Sequence, residues 1–231
     1  LGCAEDVETI TSQRLTQHWQ EVLTGSRVEL FYAGRRAPQE VAESFARVFA
    51  GHAPVRAAEV GTKPHPKPTR LRVITEEMDV TQGKLVIGLH TGILGTDPDY
   101  PALTLLNAVL GSGMTSKLFV NVREKRSLCY YASSAVERYK GIMQISSGIE
   151  FDKYETAKNA IFHELDECRQ GNITEAELES ARRGVVSALR SALDVPARLD
   201  DYYLGNAVAG GDRVETLLEK ISALTKDDLV R

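Results

Sequence analysis

The sequence predicts an α+β chain, and three observations carry that prediction. Segments of β character occur at 84–91, from Tyr130 onward and at 141–149, the last two joined by a short polar turn as a hairpin. A run of amphipathic helices fills most of the sequence after residue 152. The 231 residues are 42% hydrophobic and 26% charged, the balance of a globular domain able to bury a sizeable core. The formal net charge of -4, with acids and bases interleaved, argues against a nucleic-acid surface. No apolar run approaches the roughly 18 residues a membrane span needs, and no signal-peptide pattern opens the chain. Cys3, Cys129 and Cys168 form neither a disulfide framework nor a CxxC clip, so a reducing, cytoplasmic setting is expected.

In order, Thr11–Leu23 places Leu15, Trp19, Val22 and Leu23 at helical spacing. Arg27–Ala33 (RVELFYA) reads as a strand ended by Gly34, and a helix with Val41, Phe45, Val48 and Phe49 on one face follows Pro38. Residues 51–68 are rich in Pro, Gly and charge and read as a linker, with His52 and His65 solvated. Leu71–Thr75 and Lys84–Thr91 are strands. A helix from about Tyr100 repeats Leu103, Leu106 and Leu110. A Gly-Ser-Gly loop (Gly111, Ser112, Gly113) then opens a short helix bearing Leu118, Phe119 and Val122 beside the charged run Arg123-Glu124-Lys125-Arg126, and the hairpin comes next. The helix 152–170 carries Tyr154, Ile161, Leu165 and Cys168 on a stripe and stops at Gly171. Thr174-Glu175-Ala176-Glu177 is a capping-box pattern for the next, and further helices start at Pro196, near Leu217 and at Thr225. ETITSQRL near the start and SALTKDDL near the end share one spacing, as two copies of a repeat would. On that reading residues 1–50 close a preceding half-domain, and 69–231 are a second half lacking its last strand and helix. The first piece would then dock where the missing closing piece belongs, pairing Val28–Phe31 with the main sheet.

No metal site is expected here. His18, His52, His65, His90 and His163 include no pair at i, i+4, and a zinc site needs three or four convergent ligands. His163 reads as an ordinary helix residue and His90 as structural rather than functional. No G-x-S-x-G elbow accompanies the serines, and Cys129 reads as a half-buried strand thiol, so no catalytic nucleophile is identified. The Gly-Ser-Gly loop lacks the GK[ST] of a phosphate-binding loop. Arg123 and Tyr130 are more informative. A guanidinium and a phenol seven residues apart across a helix-to-strand turn both donate hydrogen bonds to a carbonyl oxygen, which suits holding an extended peptide or stabilising a developing oxyanion. By local chemistry alone a salt bridge for Arg123 and a core position for Tyr130 fit as well.

LNAVLGSGMTSKLFVNVREKRSLCYYASS resembles the C-terminal, non-zinc half-domain of the pitrilysin-like (inverzincin) zinc peptidases. The family pattern is a glycine-rich turn, S-[RK]-L-F on a helix, then R-E-K-x-x-L-x-Y. Gly111, Gly113, Ser116–Phe119, Arg123–Lys125, Leu128 and Tyr130 match it, as do the DPDYPALTLLNAVLG lead-in and the TEAELESAR helix start. The wording is most similar to a bacterial branch without a working zinc motif. The resemblance implies a processing-peptidase-like half-domain, an antiparallel sheet of about five or six strands backed by helices. It also implies that Arg123 and Tyr130 bind substrate, with Gly111, Ser112 and Gly113 lining the same chamber. No His-x-x-Glu-His occurs in the chain, so zinc is expected only in an upstream half or a partner subunit. The implied role is a peptide-binding, active-site-completing part that is inactive alone and pairs as a homo- or heterodimer with a zinc-bearing relative. A non-enzymatic peptide-binding, partner-binding or structural subunit is the alternative.

Overall fold

The computed structural model describes residues 3–26, 28–51 and 63–230, which fall into two compact units. Arg27 of the expected strand and residues 52–62 of the expected linker, with His52, lie outside the described residues.

The first unit comprises the chain up to Gly61 together with Asp200–Val208. Its helices are α1 (Ala4–Glu8), α2 (Ser12–Gly25) and α3 (Pro38–Val48). Thr11 caps α2 by accepting a hydrogen bond from the Arg14 N–H at 3.2 Å, as its position before an apolar-periodic run predicts. Pro38 enters α3 at its first turn, where a missing N–H costs nothing. Both helices are amphipathic, yet neither contains a buried residue; Leu15, Trp19, Phe45 and Val48 are all exposed. Phe31 stacks on Tyr203 at 5.6 Å between ring centroids. The strand expected at 27–33 does not form over residues 28–33 among the described residues.

The second unit holds the core. Its sheet has three antiparallel strands among the described residues, β1 (Gly83–His90), β2 (Cys129–Glu137) and β3 (Ile142–Ile149), in the order β1-β3-β2. The expected five or six strands are thus too many. Leu71–Thr75 alternates well enough, but Leu71, Val73 and Ile74 are exposed and no ladder partner lies beside them among the described residues. Strand propensity describes fitness for a pleated, half-buried surface, and without one it yields irregular chain. The same lack leaves the outer edge of β1 open among the described residues.

Register puts Leu85, Ile87 and Leu89 of β1 opposite Ser147, Ile145 and Met143 of β3, and these opposite Ala132, Ser134 and Val136 of β2. This face takes the helices. The other face pairs small and polar residues, among them Ser133 with Ser146 and Ala135 with Gln144. At the centre lies α4 (Tyr100–Leu110), with Leu103, Leu105, Ala108, Val109 and Leu110 buried. It packs against β2 and against α5 (Tyr154–Arg169), α6 (Glu175–Asp194), α8 (Val214–Ala223) and α9 (Lys226–Val230). Each fully buried Leu or Ile here contributes about 1.5–3 kcal/mol. The capping box forms as read: Thr174 Oγ1 accepts from the Glu177 N–H at 3.2 Å, and Glu177 Oε2 accepts from the Thr174 N–H at 2.8 Å. A further helix, α7, spans Pro196–Ala209. Thr225 heads α9 by donating its hydroxyl to Asp228 Oδ2, the reverse of the Thr11 cap, although the two sequences share one spacing.

Candidate functional site

The helix expected after the glycine loop is a π-turn, Leu118–Glu124, one residue wider than α-helical geometry: the Lys125 N–H reaches the Val120 carbonyl at 3.0 Å. Leu118 and Val122 are fully buried and fix its inner face. Ser127, in left-handed backbone with φ 49°, closes it by donating its N–H to the Arg123 carbonyl at 3.1 Å. The chain then enters β2 through a β-bulge. Cys129 pairs with Ile149 and Tyr131 with Gly148, so Tyr130 is the extra residue, and its side chain is 75% exposed. A bulge re-aims the side chain it inserts.

These two irregularities bring Arg123 and Tyr130 together. Arg123 Nε donates to the Tyr130 carbonyl at 2.8 Å, Nη1 meets Glu124 Oε1 at 2.9 Å, and the guanidinium lies 4.7 Å from the centre of the Phe119 ring. Both residues line a cleft of about 410 Å³ with Gln82, Glu124, Ser127, Leu128, Cys129, Gly148 and Glu150. The cleft is open and mostly polar, and its lining includes a guanidinium, a phenol and the carboxylates of Glu124 and Glu150. Burial pushes up the thiol of Cys129 at its wall, against the lowering effects of the Ser147 hydroxyl and of Arg123.

Gly111, Ser112 and Gly113 do not line this cleft. Gly111 is buried where α4 meets β2; its N–H bonds to the Asn107 carbonyl at 2.9 Å and its own carbonyl accepts from the Ser134 N–H at 3.0 Å. A Cβ there would stand 2.6 Å from Ser134 N and Oγ, so the glycine serves close packing. Ser112 is exposed with its N–H on the Asn107 carbonyl, and Gly113, at φ 127°, accepts the Ser116 hydroxyl at 2.7 Å. The loop caps the π-turn. These bonds also engage the Ser112 and Ser116 amides that a phosphate would need.

The pairings of the remaining polar groups near the turn are not legible in the sequence. Lys117, 6% exposed, pairs with Glu177 Oε1 at 2.9 Å. Burial raises the Glu177 carboxyl, but the Thr174 N–H and the Lys117 ammonium outweigh it and hold it below the usual carboxylate range. Glu164, 3% exposed, accepts from Asn121 Nδ2 at 2.8 Å. The buried stripe of α5 is Ala157, Ala160, Ile161, Glu164 and Cys168, rotated from the one expected through Tyr154 and Leu165. An acid three and four residues from Ile161 and Cys168 was the available signal. Cys168 is buried, which pushes its thiol up to about 11.

Among the described residues no three His, Cys, Asp or Glu side chains converge on a metal position. His90 Nε2 lies 2.9 Å from the His65 carbonyl, a structural tie that also holds the exposed His65 in place. No described helix is long and apolar enough to cross a membrane.

The profile of the peptidase M16 inactive domain matches residues 9–185. A protein of Bacillus subtilis described as "Probable inactive metalloprotease YmfF" is 31% identical over 231 residues, all of this chain and 54% of that protein. The mitochondrial-processing peptidase subunit beta of Saccharomyces cerevisiae is 24% identical over 249 residues, again covering all of this chain and 54% of the relative. The crystal structure of a conserved protein from Enterococcus faecalis V583 superposes with a TM-score of 0.86 at 27% identity, over 99% of this chain and 54% of that one. The chain therefore spans about half the length of these relatives. The motif from Gly111 to Tyr130, the α+β fold and the profile match agree: the chain belongs to the peptidase M16 family, in the part described as its inactive domain.

Proposed function

We propose that this chain is the peptide-binding, active-site-completing part of a pitrilysin-like zinc peptidase, not catalytic by itself, with the zinc carried by another half or by a partner subunit. The observation that supports this most is the pairing of the π-turn with the bulge. Two departures from regular structure meet at Arg123 and Tyr130, and both open onto one polar cleft. There the phenol and the guanidinium donate to successive carbonyl groups of an extended peptide. In the complex with a zinc-bearing relative, Arg123→Ala and Tyr130→Phe each weaken binding of a fluorescein-labelled unstructured 15-residue peptide by about tenfold, the loss of roughly one charged or neutral hydrogen bond. Equal affinity for wild type and both variants sinks the proposal.

The second reading, a non-enzymatic partner-binding or structural subunit, is favoured by the engagement of Arg123 with the Tyr130 carbonyl, Glu124 and Phe119. It predicts that both substitutions leave peptide affinity and turnover of the complex alike unchanged.

Residues 1–50 fit the closing piece of a preceding half-domain because their helices are amphipathic and uncovered. Trp19 is the single tryptophan and is 61% exposed. Adding the zinc-bearing half covers α2, so Trp19 emission shifts to the blue; a spectrum unchanged at saturating partner counts against this docking. The setting is cytoplasmic, on the ground of the three scattered cysteines.

A further inference from the structure

The cleft depends on where the π-turn puts Arg123, and that turn is held from beneath by groups that do not line the cleft. Asn121 is central. Its Nδ2 donates to Glu164 Oε2 on α5 at 2.8 Å, and its Oδ1 accepts from Lys125 Nζ at 3.0 Å, so a chain of bonds runs from the surface ammonium through the amide to a buried carboxylate. Glu164 is 3% exposed, and among the described residues Asn121 supplies its side-chain hydrogen bond. A carboxylate buried this deeply on one neutral donor is less stable than an apolar side chain in the same place. Packing alone therefore does not account for it.

The π-turn has a cost of its own, since the wider ring of backbone bonds is seldom adopted. Relaxation to α-helical spacing would drop one residue from the turn and rotate the chain beyond it by about 100°. Arg123 Nε would swing off the Tyr130 carbonyl, and the Ser127 closure onto the Arg123 carbonyl would be lost. Asn121 sits two residues before Arg123, inside the turn, where a bond to a fixed helix opposes that rotation. Lys117 at the head of the turn, tied to Glu177, holds the other end.

We propose that Glu164, acting through Asn121, is a positioning residue: it locks the wide turn and so holds the Arg123 guanidinium at the cleft. The effect on peptide binding rests on the cleft being a peptide site; the lock itself does not.

The test uses the full chain and tracks the Arg123 Nε–H by 15N-resolved NMR, both its chemical shift and its exchange with solvent, beside affinity for the labelled peptide. Glu164→Leu removes the acceptor. The double variant Asn121→Leu/Glu164→Leu replaces both partners by apolar groups, which keeps the packing if the single change does not fold. In the folded variants the Nε–H moves to the shift of a free arginine, its exchange accelerates at least tenfold, and peptide affinity measured with the zinc-bearing relative falls about tenfold. Glu164→Gln keeps an acceptor oxygen and restores all three. An unchanged Nε–H shift and exchange rate in the folded double variant overturns the proposal. Loss of Nε–H protection with unaltered peptide affinity upholds the lock and instead removes the peptide reading of the cleft.

Discussion

Gly111→Ala lowers stability by about 3 kcal/mol and the melting temperature by roughly 6–12 °C. The reason is distance. An ideal Cβ at position 111 lies 2.6 Å from both Ser134 N and Ser134 Oγ and 2.8 Å from Leu118 Cδ1. Two of those three atoms belong to bonds that join α4 to the sheet: Ser134 N donates to the Gly111 carbonyl at 3.0 Å and Ser134 Oγ to Asn107 Oδ1 at 2.7 Å. Leu118, the third contact, is fully buried and begins the π-turn, so relief by movement must shift either β2 or the turn. Gly184→Ala is the control. It lies within α6 with nothing within 4 Å of a new Cβ, and gains about 0.5–1 kcal/mol from helix propensity. Thermal unfolding monitored by circular dichroism separates them, and a Gly111→Ala midpoint within about 2 °C of wild type would refute the packing argument.

Arg182→Met costs about 2–4 kcal/mol. Arg182, on α6, reaches the C-terminal end of α8 and donates Nη1 to the Ile221 carbonyl at 2.7 Å and the Ser222 carbonyl at 3.3 Å, and Nη2 to the Leu224 carbonyl at 2.9 Å. Its Nε meets Glu179 at 2.8 Å, which orients the fork. The last carbonyls of a helix have no partners within it, and they carry the negative end of its dipole, so a fixed cation there satisfies both needs. Methionine keeps the stem and its packing but leaves the carbonyls of a half-buried helix end without their donor. Urea denaturation reads the loss as a lower midpoint at unchanged slope. Arg182→Lys recovers only part of it, since one ammonium cannot span three carbonyl groups. A midpoint equal to wild type in Arg182→Met would show that water replaces the guanidinium without cost.

Sequence features were most legible where the determinants are local. The Thr174–Glu177 capping box, the Pro-led entry of α3, the apolar repeat of α4 and the hairpin around Tyr139-Lys140 each need only a few neighbouring residues, and each forms. Residues 28–33 and Leu71–Thr75 show the converse. Their alternation supplies two faces, yet a strand also needs a backbone beside it, and that partner cannot be read from the segment itself. Arg123 and Tyr130 stand out in the motif, but the geometry of the cleft they line does not. A π-turn differs from an α-helix by one residue, too little to alter the Leu118, Phe119, Val122 pattern, and a bulge at Tyr130 is invisible in a sequence where Tyr131 would serve as well. Gly111 groups with Arg123 and Tyr130 by proximity in the motif, whereas its surroundings assign it to the joint between α4 and β2. Glu164 and Arg182 reveal themselves only through residues 43 and roughly 40 positions away.

The edge of β1 that is unpaired among the described residues carries a colloidal consequence. A strand with one unpaired side is a template for any other extended chain, whatever its source, and the exposed Leu71, Val73, Ile74 and Met78 stand a few residues ahead of it in the same unit. Recruitment of a correct neighbour and accidental clustering at high concentration draw on the same backbone groups. Lys84, exposed on that strand, is the sort of charge that blunts edge-to-edge pairing without blocking a partner that brings its own acids. Yield and monodispersity of the isolated chain therefore report on this edge as directly as any binding assay does.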